Sequence, residues 1–125
     1  MRAFEWTQDA NGQDLYQESS DLIFFPKLMS LEKKEQRVLR TGTRAMALER
    51  EKTYRLFIEE IPEPRKDPQQ GAQISVAIRF GVPVFVRPLQ QNLKGEIERA
   101  ELSGGDVKVR VKNTGNVHFA INTVN

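Results

Sequence analysis

The sequence predicts an all-β fold, a β-sandwich, on three observations. Apolar residues recur with period two, as in Tyr54, Leu56 and Ile58 and again in Val107, Val109 and Val111. The runs marked in this way are short and are separated by Gly, Asn and Pro turns. No segment carries a helical stripe. The charge-rich stretch 31–40 places apolar residues only at 31, 38 and 39, so it reads as a turn between strands.

Phe4 and Trp6 alternate with polar residues and predict a short strand, which Asp9-Ala10-Asn11-Gly12 ends in a turn. Residues 21–25 (DLIFF) form a compact apolar strand stopped by Pro26, and 36–41 form another strand. Residues 52–61 place Tyr54, Leu56 and Ile58 on one face and Phe57 and Ile61 on the other, and Pro62 closes the strand. Segment 62–71 holds three prolines and almost nothing to bury, so it reads as a loop joining two long strands.

The second of those strands spans 73–88 and ends in Arg87-Pro88. Ile74, Val76, Ile78 and Phe80 point to one side. Ala77, Val82, Val84 and Val86 add apolar residues around a Gly81-Val82-Pro83 irregularity. Such a strand is either buried in its own sandwich or holds one face ready for a partner. Spacing alone leaves both open.

Beyond a polar linker at 89–95, strands are predicted at 96–102, 107–111 and 117–124, with turns at 103–106 and 113–116. About five strands precede Pro88 and about three follow, against roughly seven in a complete immunoglobulin-like domain. The expected organisation is therefore a first domain over 1–88 lacking its first strands, a linker over 89–95, and the first strands of a second β-sandwich over 96–125.

Composition excludes several function classes. Across 125 residues, 19 Lys and Arg are scattered among 17 acids for a net charge of +2, which gives no basic stripe for nucleic acid. No apolar run approaches the roughly 20 residues of a membrane-spanning helix. No signal peptide is read ahead of Phe4-Glu5-Trp6. With no cysteine there is no disulfide, no cysteine zinc site and no thiol nucleophile. The single histidine, His118, reads as an ordinary strand residue. Glu59 and Glu60 are adjacent on a strand and face opposite sides, and Asp9 and Asp14 flank a turn. No catalytic pair, metal site or cofactor is predicted, and the chain reads as a non-enzyme.

An open edge on strand 73–88 could hydrogen-bond an incoming strand while Ile74, Val76, Ile78 and Phe80 insert into it. Each fully buried residue of this kind contributes roughly 1.5–3 kcal/mol.

A series of landmarks carries a resemblance: Ala3-Phe4-Glu5-Trp6; Asp21-Leu22-Ile23-Phe24-Phe25-Pro26; Gln36-Arg37-Val38-Leu39-Arg40; Glu49-Arg50-Glu51; residues 54–62 (YRLFIEEIP); and Phe85-Val86-Arg87-Pro88. In this order they resemble the periplasmic pilus-assembly chaperones of the chaperone–usher pathway, over about residues 3–119. The runs 54–58 and 79–85 look most like the branch serving archaic, spore-coat-U-like pili.

The resemblance implies a two-domain, immunoglobulin-like β-sandwich protein of the periplasm, whose last first-domain strand completes the fold of pilin subunits and which hands them to an outer-membrane usher. It maps the donor residues onto Ile74, Val76, Ile78 and Phe80, and a structural ion-pair network near the domain junction onto Glu51 and Arg87. It also implies two strands and a signal peptide ahead of Ala3, which this sequence lacks. One basic anchor for the subunit's C-terminal carboxylate belongs on those missing strands. The other, a lysine four residues before the Arg of the Arg-Pro pair, is replaced here by Pro83, so the anchor stays unassigned. Self-association through exposed strand edges is expected. The reading that competes with this one is an immunoglobulin-like structural or adhesion module in which strand 73–88 is ordinary core.

Overall fold

Period-two patterning and frequent turn residues leave the backbone with ladders as its main route to satisfied hydrogen bonds. The computed structural model describes residues 1–62 and 76–123. Among them are eight strands and no helix: β1 (Arg2–Gln8), β2 (Asp14–Glu18), β3 (Leu22–Phe25), β4 (Arg40–Thr43), β5 (Lys52–Glu59), β6 (Arg79–Val86), β7 (Gly95–Ser103) and β8 (Asp106–Asn113). They form a four-stranded sheet in the order β2-β1-β5-β6 and two two-stranded sheets, β3-β4 and β7-β8. The fold is all-β, as the sequence predicts. Two compact units result, one of residues 1–45 and 53–84, the other of residues 46–52 and 85–125.

In the first unit, β1 pairs antiparallel with β2 and β5, placing Trp6 opposite Tyr16 and Ala3 opposite Leu56. The β1–β2 turn is built by Asp9, whose carboxylate accepts the N–H groups of Asn11 (2.8 Å) and Gln13 (2.9 Å). Gly12 takes the positive φ of 79° that this turn demands.

One face of the four-stranded sheet holds the core. Tyr54 (0% exposed), Leu56 (1%) and Ala3 (6%) are buried there, as is Leu22 of β3. The Tyr54 hydroxyl donates to Asp21 at 3.4 Å, linking β5 to the residue that precedes β3. Burial first, then the nearby Asp21 and Glu5 charges, pushes the Tyr54 phenol up from its ordinary value.

The opposite face carries an aromatic–arginine ladder. Phe4, Tyr16 and Phe57 meet edge to face at centroid distances of 5.5–6.3 Å. Arg55 lies 4.0 Å above the Trp6 ring and bonds the Tyr16 hydroxyl (2.8 Å) and Asp14 (3.3 Å). Donors on Gln8, Trp6 and Tyr16, with the Arg55 charge, hold the Asp14 carboxyl below its usual range.

In the second unit β7 and β8 form a hairpin closed by Gly104 and Gly105, whose φ values of 62° and 91° fit a two-residue turn with two left-handed positions. A bulge between Ile97 and Arg99 keeps Ile97, Ala100 and Leu102 in phase with Val111, Val109 and Val107.

Several expectations are corrected. β2 was not predicted, because Asp14–Glu18 is exposed throughout and shows little apolar alternation. The strand expected at 36–41 begins at Arg40. Of the strand expected at 117–124, the described residues 117–123 are irregular: the His118 N–H donates to the Glu51 carboxylate, and Asn116, just before them, bonds segments 49–51 and 90–92. Of 73–88, residues 76–78 precede the strand and β6 covers 79–86. Residues 73–75, and most of the proline-rich stretch 62–71, lie outside the described residues.

Candidate functional site

β6 ends the four-stranded sheet, so among the described residues one of its edges has no hydrogen-bonded neighbour. Its two faces are unlike. On one, Arg79 pairs with Glu59 at 3.0 Å and lies 3.9 Å above the Phe57 ring. Gly81 sits on the same face, where a Cβ would come within 3.1 Å of Phe57 and 3.2 Å of Arg55. Glycine therefore lets β6 press against the aromatic ladder. That face is engaged by the protein's own sheet.

The other face carries Val76, Ile78, Phe80 and Val82, which are 75%, 50%, 60% and 42% exposed. Phe80 and Val82 belong to the side on which β5 buries Tyr54 and Leu56, yet they remain open. Ile74, the first residue of the predicted row, lies outside the described residues. The run is continuous through Gly81-Val82-Pro83, so Val82 extends the row where the sequence suggested an irregularity. Ile78 is held by its backbone: its N–H donates to the Glu60 carboxylate (3.2 Å), and its carbonyl accepts the Glu60 N–H (2.9 Å).

Glu51 and Arg87 are not brought together. The Glu51 side chain, 5% exposed, meets His118 Nδ1 at 2.5 Å, and the His118 ring stacks on Phe85 at 4.0 Å. Arg87 is exposed and makes no ion pair among the described residues. Beside this contact, Asn116 joins three segments. Its side chain donates to the carbonyls of Glu49 (2.9 Å) and Gln90 (2.8 Å) and accepts the Asn92 N–H (2.7 Å). Its own carbonyl accepts the Glu51 N–H at 2.9 Å. The sequence signalled only a turn here, since nothing in an Asn-Thr-Gly-Asn run names distant partners.

The first unit also has an open cavity of about 350 Å³ lined by Arg2, Ala3, Glu18, Ser19, Leu22, Lys27 and Arg44, among others. Arg2 is paired with Glu18 across its rim at 3.4 Å. No cluster of three or more His, Cys, Asp or Glu able to hold a metal occurs among the described residues.

Residues 2–92 match the model of the pili and flagellar-assembly chaperone PapD N-terminal domain. The chain belongs to this family. No curated protein and no solved structure matches it. Membership implies an assembly chaperone, whose role is binding, with pilin subunits as the family's partners in the periplasm. No helix among the described residues is long and apolar enough to cross a membrane. The match identifies the family and distinguishes no branch within it.

Proposed function

We propose that this pilus-assembly chaperone acts by donor-strand complementation, lending β6 and the residues before it to a pilin subunit that lacks a strand. The observation that carries this reading is the row Val76, Ile78, Phe80 and Val82, exposed on one face of β6 and the residues just before it, with β6 at the edge of its sheet among the described residues. Strand addition supplies main-chain hydrogen bonds, and alternate side chains fill the partner's cleft. The aromatic ladder and the Glu59–Arg79 pair brace the opposite face, so β6 is presented in one geometry before the partner arrives. Pre-ordering lowers the conformational cost of binding, and no nucleotide or cofactor is required. Delivery of the loaded subunit to an outer-membrane usher would follow from the same role.

Val76→Asp tests this. Val76 is 75% exposed, so the fold should persist with an unchanged circular dichroism spectrum. Capture of a denatured pilin subunit diluted into refolding buffer should fall at least tenfold, because the carboxylate would be buried unpaired in the subunit. Undiminished capture would remove residues 76–82 from the mechanism.

A further inference from the structure

The orientation of β6 fixes which of its backbone groups face outward. Ile78 bonds Glu60, Arg79 pairs with Glu59, and Gly81 abuts Phe57. Rising numbers on β6 thus meet falling numbers on β5, and the two strands run antiparallel. In such a pair each residue turns its N–H and C=O to the same side, and its neighbour turns both the other way. Ile78 directs both groups toward Glu60. By alternation Phe80 and Val82 also face β5, whereas Ala77, Arg79, Gly81 and position 83 face the open edge.

Position 83 is proline, which has no N–H. Because this residue belongs to the outward set, it costs the β5–β6 ladder nothing, and β6 continues unbroken through Pro83 to Val86. The cost falls only on whatever pairs with the open edge. There the edge offers N–H donors at 77, 79 and 81 and none at 83.

We propose that Pro83 is a register stop for the incoming pilin strand. Resting on the donor-strand reading above, this defines the partner's strand more closely. It needs carbonyls opposite Ala77, Arg79 and Gly81, and its ladder ends where it reaches Pro83. The side chains that alternate with those donors are Val76, Ile78, Phe80 and Val82, so the donor window and the exposed apolar row coincide. A subunit strand shifted two residues toward Val86 would meet the proline and lose a bond, which selects one register. An edge proline also discourages indiscriminate strand pairing.

The test uses the full chain and two variants, Pro83→Val and Pro83→Ala, each of which restores the donor. Each is mixed with a denatured pilin subunit on dilution into refolding buffer. Amide exchange is then read residue by residue, and dissociation is followed by competition. In the parent complex, exchange at 77, 79 and 81 should slow at least tenfold relative to the free chain. In both variants the amide at position 83 should slow as well, and dissociation should become about three- to tenfold slower through one added bond. If 77, 79 and 81 slow while 83 stays fast and dissociation is unchanged, the register stop is refuted and strand donation stands. If a complex forms and none of the three slows, strand donation itself fails. Using one β-branched and one small replacement guards against a local packing artefact.

Discussion

Leu56 and Phe80 sit on neighbouring strands and project from the same side of one sheet, yet they should behave oppositely when truncated. Leu56 is 1% exposed, and Leu→Ala at such sites costs about 2–5 kcal/mol. Set against a typical domain stability of about 5–15 kcal/mol, that is a severe loss. Phe80 is 60% exposed, so Phe80→Ala forfeits less than half of the roughly 3–5 kcal/mol lost at a fully buried Phe.

The exposed remainder is what a subunit can cover. Taking full burial of Phe at roughly 1.5–3 kcal/mol, the open 60% contributes about 1–2 kcal/mol to binding, or roughly 5- to 30-fold in Kd. Urea unfolding followed by fluorescence of Trp6 measures stability, and capture of a refolding pilin subunit measures binding. Leu56→Ala should lower the midpoint sharply at unchanged slope. Phe80→Ala should move the midpoint little and weaken capture. A Phe80→Ala midpoint as low as that of Leu56→Ala, with capture intact in the folded fraction, would make Phe80 core and refute the donor reading.

Two further outcomes follow from the structure. The folded-state pKa of Asp14 is depressed below the ordinary 3.8, so its contribution is present above that value and is lost as the pH falls through the folded value. Asp14→Asn should therefore flatten the acid limb of the stability curve below about pH 4, seen in urea midpoints measured from pH 2 to 6. An unchanged acid limb would show that the Gln8, Trp6, Tyr16 and Arg55 contacts do not favour the carboxylate. Asn116→Ala removes side-chain bonds to Glu49, Gln90 and Asn92 and should speed amide exchange at Asn92 and Glu51 at least tenfold, leaving Tyr54 and Leu56 slow. Uniform acceleration throughout the chain would mean that Asn116 supports global stability instead.

Much of the fold was legible because period two is a local property. Tyr54, Leu56 and Ile58 announced β5 and its buried face, and Pro26 and Pro62 marked strand ends. The row Val76, Ile78 and Phe80 was visible for the same reason, although alternation looks identical in a core strand and a docking strand. β2 escapes notice in the sequence because its residues are exposed and do not alternate, and its pairing with β1 comes from ladder bonds and ring contacts. His118 gave no signal of its contact with Glu51, since 67 residues separate them in sequence.

The sequence by itself determined the all-β class, most of the strands and turns, and the apolar row from Val76 to Phe80. These depend on residue type and near-neighbour spacing. Only the tertiary structure decided that, among the described residues, β6 ends its sheet, and that Gly81 and Arg79 lock one face while the apolar row stays open. The physical reason is that an edge is a property of what lies beside a strand. A chain encodes which side chains alternate, but which backbone donors remain exposed is settled only when distant segments take, or leave, the neighbouring place.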